Sequence, residues 1–84
     1  MLVSDNRIMS TNSETLIIRD EMIRLGQALK LANVVEDGVD AREVISAGEI
    51  LVNDEVETRR GRQLRAGDVI TITQLDLDVI IETE

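Results

Sequence analysis

The sequence predicts an α+β domain in which two short helices form a hairpin on a small sheet. Three observations favour this fold: two segments with helical apolar spacing, a glycine followed by a β-branched run and a turn pair, and apolar-polar alternation near the C-terminus. A chain of 84 residues has the length of one domain with one hydrophobic core.

The first helix is predicted from Arg24 to about Asn33. Its apolar residues recur at i, i+3, i+4 and i+7, which places them on one helical face. These residues are Leu25, Ala28, Leu29 and Ala32.

A second helix is predicted between Asp37 and Gly48. Asp is a good N-cap residue, and Gly commonly follows a helix in the left-handed conformation. The apolar stripe between them consists of Ala41, Val44 and Ile45. Two short amphipathic helices need an apolar surface to lie on, and a sheet would supply it.

The strands are predicted from β-branched runs bounded by turn residues. Asn53-Asp54 is a turn pair between Ile50–Val52 and Glu55–Thr58, which predicts a tight hairpin. The other predicted strands are Thr15–Arg19 at an edge, Val69–Ile72, and a terminal strand within residues 75–82. The sheet residues expected to face the helices are Ile50, Val52, Val56, Ile70 and Ile72.

The first 13 residues are polar and lack periodicity, so they are predicted to be a flexible tail before a single domain over residues 14–84. No apolar run is longer than three residues, which argues against a membrane span or a secretion signal. The chain also contains no cysteine. The expected location is the cytoplasm.

The composition removes several kinds of chemistry. The chain has no His, no Cys and no aromatic residue, so thiolate metal sites, imidazole bases and base-stacking platforms are excluded. Its carboxylates form no recognisable catalytic pattern, and so small a domain has little room for a pocket that excludes water. A catalytic role ranks last, and the sequence predicts a protein that is not an enzyme and uses no metal or cofactor.

Positive charge is concentrated in one segment of an acidic chain. The sequence has 17 acidic and 9 basic residues, a net charge of -8. Residues 59–67 nevertheless contain four arginines and no acid. Because exposed charges are screened beyond about 8 Å at physiological salt, such a local cluster can act separately from the net charge.

An ordered set of motifs runs through most of the chain. It reads Arg24-Leu25, Leu29, Ala41-x-x-Val44-Ile45-x-x-Gly48-x-Ile50-x-Val52-Asn53, Glu57-Thr58-Arg59-Arg60 and Leu64-x-x-Gly67-Asp68-x-Ile70. This set resembles the ribosomal-protein-S-four type RNA-binding domain, or alpha-L motif, and in particular its small stand-alone bacterial members. The resemblance covers about residues 15–73. It implies a helical hairpin on a small, mostly antiparallel sheet that binds structured RNA.

The resemblance also implies which side chains contact RNA. Arg42 matches a basic residue after the alanine that begins the second helix, and Arg59 and Arg60 match the basic pair after Glu-Thr. Arg62 and Arg65 match less strictly. The remaining candidates are Arg24 and Lys30 on helix one.

The sequence departs from the family pattern at three points. Asp37-Gly38 stands where many members have Ser-Arg, and Gly26 stands where many have Asp. The chain is also acidic, whereas most members are basic.

Two functions remain open from the sequence. In the first, arginine forks engage RNA phosphates, and a monomer recognises ribosomal or transfer RNA by shape. In the second, the protein is an adaptor whose acidic surface and terminal strand engage a basic partner, such as a ribosomal protein. For the arginine cluster itself, the alternative to RNA contact is that its four arginines are solvated and pair with Glu55, Glu57 or Asp68.

Overall fold

A computed structural model describes residues 12–84, which form two α-helices and seven strands. In chain order these elements are β1 (Asn12–Ile18), β2 (Ile23–Arg24), α1 (Leu25–Leu31), α2 (Gly38–Ser46), β3 (Ile50–Val52), β4 (Glu55–Val56), β5 (Gln63–Leu64), β6 (Val69–Ile72) and β7 (Leu77–Thr83).

The main sheet has five strands in the order β1-β7-β6-β3-β4. Its pairings are antiparallel except for that of β1 with β7, which is parallel. The short strands β2 and β5 form a separate antiparallel ladder. Two helices on a mostly antiparallel sheet confirm the predicted α+β fold.

The second helix follows its predicted signals. The Asp37 side chain accepts a hydrogen bond from the Asp40 backbone N–H at 2.9 Å, and Gly48 has φ +79° beyond the helix end. The first helix is shorter than predicted because Asn33 adopts a left-handed φ of +60°, which stops it after Leu31. Neither helix of the described chain is long and apolar enough to cross a membrane.

The hairpin between β3 and β4 is also confirmed. Asn53 and Asp54 have φ of +52° and +72°, the left-handed values that a two-residue hairpin turn requires at both central positions. The Asn53 side chain fixes the start of β6, because its Oδ1 accepts a hydrogen bond from Val69 N–H at 3.0 Å.

The core lies between the helices and one face of the sheet. Most of the residues predicted for it are buried, and Ala32 and Val44 pack partly buried against it. Val56 is wrongly assigned, since it is 60% exposed. It pairs with Leu51, so strand alternation directs its side chain to the other sheet face.

The chain termini differ from the predicted boundaries. β1 begins at Asn12, so Asn12 and Ser13 belong to the sheet instead of a tail, and residues 1–11 of that predicted tail lie outside the described residues. Backbone pairing with β7 extends the strand into polar sequence. At the other end, Thr73–Leu75 form a 3-10 helix and Leu75 is exposed, so the terminal strand starts only at Leu77.

Candidate nucleic-acid interface

The arginine loop, residues 59–65, is fastened to the start of α1 by backbone hydrogen bonds. Leu25 N–H donates to the Arg62 carbonyl at 2.8 Å, and Gly26 N–H donates to the Arg60 carbonyl at 3.0 Å. The first N–H groups of a helix have no partner within the helix, and Arg24 provides no side-chain cap. The loop carbonyls fill this role and thereby hold the loop beside the helical hairpin.

Glu57 organises two of the loop arginines. Its side chain is 8% exposed, and its Oε2 accepts a hydrogen bond from Arg59 Nε at 3.0 Å. Its Oε1 accepts from Arg59 Nη2 at 3.1 Å and from Arg62 Nη1 at 2.8 Å. The backbone N–H of Arg59 adds a fourth bond. One carboxylate thus partly neutralises two guanidinium groups and orients both of them.

These hydrogen bonds lower the pKa of the Glu57 carboxyl from 4.5 to about 2. The bonds from Arg59 contribute most and those from Arg62 next, while burial acts in the opposite direction. A carboxyl whose pKa is lower in the folded state stabilises the fold at pH values above its unfolded pKa. That stabilisation is lost as the pH falls from about 4.5 to about 2.

We therefore expect Glu57→Gln to lower the free energy of unfolding at pH 7 by about 1 to 3 kcal/mol, with much of the difference gone near pH 2. The upper bound follows from the pKa change, and screening around Arg59, which is 73% exposed, reduces it. Urea unfolding followed by circular dichroism measures this, since the chain has no aromatic fluorophore. The control is Glu55→Gln, at an exposed position of β4. Equal effects of Glu57→Gln and Glu55→Gln would contradict the stabilising role of the hydrogen bonds that Glu57 accepts from the arginine loop.

A groove of about 410 Å³ lies between the hairpin and the arginine loop. We call it the basic groove. Its cationic side chains are Arg24, Lys30 and Arg60, and its other lining residues are Gly26, Gln27, Gly38, Ala41 and Gly61. No ion pair within residues 12–84 joins any of the three cations to a carboxylate. The small residues leave space for a phosphate backbone, and the unpaired cations attract its negative charge.

The closeness of Gly26 and Arg60 shapes one wall of the groove. A Cβ atom added at Gly26 would lie 2.6 Å from Arg60 Cγ and 3.1 Å from Cδ. The Arg60 stem therefore lies directly on the first turn of α1, where only glycine leaves it room. The departure from the family pattern at Gly26 thus has a structural counterpart in the position of Arg60.

The predicted RNA-binding residues fall into three groups. Arg24, Lys30 and Arg60 share the basic groove, whereas Arg59 and Arg62 are held by Glu57 and line a neighbouring shallow depression. The exposed residues Arg42, on α2, and Arg65, after β5, line neither of these two cavities. The pairing alternative is thus correct for Arg59 and Arg62 with Glu57.

Sequence reasoning did not include Glu57 among the site residues. No local signal indicated it: with Val56 predicted to face the helices, strand alternation places Glu57 toward solvent, whereas the pairing of Val56 with Leu51 turns Glu57 to the core-facing side of the chain. A carboxylate on that side needs a cationic partner, and the arginine loop supplies two. Within residues 12–84, no three acidic side chains come together as a metal-binding cluster.

Comparison with known proteins agrees with the observed fold. The model of the S4 domain family matches residues 16–80, and the chain belongs to this family. A similar curated protein is the "Probable ribosome maturation protein RlbA" of Bacillus subtilis (strain 168), which is 54% identical over 55 residues. The aligned region covers 66% of this chain and 78% of the relative.

Proposed function

We propose that this protein binds structured RNA, of the ribosomal or transfer RNA class, through the basic groove and the arginine loop. The observation that carries the proposal is the convergence of Arg24, Lys30 and Arg60 on one groove whose other lining residues are mostly small. Such a groove admits a phosphate backbone, and RNA helices are recognised mainly through phosphates, 2′-hydroxyls and shape. Membership of the S4 domain family supports an RNA-associated function.

The name of the Bacillus relative supports a role in ribosome maturation. This role would place the protein in the cytoplasm, where bacterial ribosomes are assembled. Among the described residues, the groove is lined by cations, Gln27 and small residues and by no carboxylate, which favours a binding role over a catalytic one. A net charge of -8 opposes self-association, so the functional form is proposed to be a monomer.

Structured RNA is expected to bind at least about 10-fold more tightly than an unstructured strand of the same length. The sequence contains no Phe, Tyr or Trp, so unpaired bases find no aromatic ring to stack on, and such stacking is worth about 1 to 3 kcal/mol per base. Fluorescence anisotropy with a labelled RNA hairpin and a labelled single strand measures the ratio. Tighter binding of the single strand would contradict recognition by shape.

Gly26→Ala is expected to weaken binding to the same RNA hairpin about 10-fold, because the added methyl group displaces the Arg60 stem. Alanine is the better helix former, but the clash is with the near end of the Arg60 side chain, so urea unfolding of the variant accompanies the binding measurement. The matched control is Gly61→Ala, since nothing lies within 4 Å of a Cβ added there. Unchanged affinity of the Gly26 variant would show that the position of the Arg60 side chain does not contribute to RNA binding.

A further inference from the structure

The sheet has a second face that no other element of the described chain covers. The helices pack on the face that carries Ile50, Ile70 and Val79. Their strand neighbours Leu51, Thr71 and Asp78 are aligned in register across β3, β6 and β7, on the opposite side. The hydrogen bond from Thr71 Oγ1 to Asp78 Oδ1, at 2.7 Å, agrees with this assignment. We call this side the open face.

An apolar band runs diagonally across the open face. Val56 pairs with Leu51, and Val69 pairs with Ile80. Leu51 and Val69 are diagonal neighbours on the adjacent strands β3 and β6, so the two pairs are continuous. Ile17 on β1 continues the band, because it lies two residues beyond the partner of Ile80. Ile17 and Val56, at the two ends, are 61% and 60% exposed. None of the five packs against the core.

Within the described strands, the charged side chains of the open face have one sign. Along its strands in the described chain, the ionisable side chains that alternate onto this face are Asp78 and Glu82, both acidic. The acidic residue Asp76 directly precedes β7, and Glu84 directly follows it. Arg19, just beyond β1, lies 3.7 Å from the Glu84 carboxylate. The cations of the basic groove come from α1, its entry strand and the arginine loop.

The apolar band and the acidic residues beside it together indicate which partner can bind the open face. RNA and an anionic membrane surface would be repelled by the carboxylates, and a second copy of the chain would present the same charge. A basic protein segment with apolar side chains matches both the band and its acidic neighbours. We propose that the open face docks such a segment, so that the protein holds RNA on one side and a basic protein on the other.

The test uses the full chain labelled with ¹⁵N and a soluble peptide that alternates lysine with valine. Amide shifts centred on Val69, Thr71 and Ile80 are expected. A peptide that alternates lysine with serine has the same charge without the apolar side chains, and it should bind at least about 10-fold more weakly. Equal binding of the two peptides would overturn the proposal, as would the absence of binding or shifts confined to α1, α2 and the arginine loop.

Variants at the two ends of the band locate the contact. Ile17→Lys and Val56→Lys should each weaken peptide binding at least about 10-fold, while Val39→Lys, at a 66% exposed position of α2, should not. The amide spectrum of each variant shows whether it is folded. If both folded band variants bind the peptide as the unchanged protein does, the proposal fails.

RNA binding is measured separately on the same samples. Arg60→Ala should weaken binding to an RNA hairpin without changing peptide affinity, so failure of one proposal is distinguishable from failure of the other. An RNA hairpin that shifts the Val69 and Ile80 amides as the peptide does would assign the open face to RNA and overturn the docking proposal.

Discussion

Replacing Leu29 by Ala is expected to lower the free energy of unfolding by about 2 to 5 kcal/mol. Leu29 is fully buried on α1, in the layer that joins the helical hairpin to the sheet. Truncation removes apolar burial and leaves a cavity that the surrounding elements fill only in part. A domain of this size has only about 5 kcal/mol or slightly more to lose, so the variant should be largely unfolded under mild denaturing conditions.

The matched control for this prediction is Leu31→Ala on the same helix. Leu31 is 56% exposed, so the same chemical change should cost less than about 1 kcal/mol. Urea unfolding followed by circular dichroism gives both values. Similar losses for the two variants would show that the hairpin does not pack on the sheet as described.

Binding to structured RNA is expected to weaken about 60-fold between about 50 and 200 mM salt. Arg24, Lys30 and Arg60 line the groove, and Arg42 follows the lining residue Ala41 on α2; none of these four cations has an ion-pair partner within residues 12–84. At about -0.7 to -0.9 per phosphate contact, four contacts give a log-log slope near -3. Glu57 already neutralises part of the charge of Arg59 and Arg62, so these two arginines add less.

The salt slope also ranks the individual arginines. Arg60→Ala should reduce its magnitude by about 0.7 to 0.9, and Arg59→Ala should reduce it by less, because Arg59 shares a carboxylate with Arg62. Titrations of a labelled hairpin at four salt concentrations measure the slopes. An affinity that does not change with salt would rule out phosphate contact as the source of binding.

Much of the fold was predictable because its signals are local. The spacing of apolar residues fixes the helical faces, and Asp37, Gly48 and the Asn53-Asp54 pair mark ends and turns through their own backbone preferences. The orientation of Val56 was not predictable. Either face of a hairpin strand can carry valine, and only the register with Leu51 decides which face is buried. Parallel pairing of β1 with β7 joins the two ends of the domain and has no local signal.

The candidate site was likewise predictable from the sequence only in part. The arginine loop stands out in the sequence as a concentration of charge, but its internal pairing depends on the burial of Glu57, which only the folded chain defines. The basic groove combines residues from β2, α1, α2 and the loop, and the β2–β5 ladder holds the loop against the start of α1. That ladder has two residues per strand, too few for any periodic pattern to indicate.

The central claim is that RNA binds at the basic groove. The most direct measurement is the affinity for a labelled RNA hairpin of the triple variant Arg24→Ala, Lys30→Ala, Arg60→Ala, compared with Arg19→Ala. Arg19 is an 87% exposed arginine that lies beside Glu84 and does not line the groove, so it serves as the control for loss of positive charge elsewhere on the surface. We expect the triple variant to bind at least about 100-fold more weakly, with Arg19→Ala within about threefold of the unchanged protein. Equal affinities for the folded triple variant and the unchanged protein would contradict the claim.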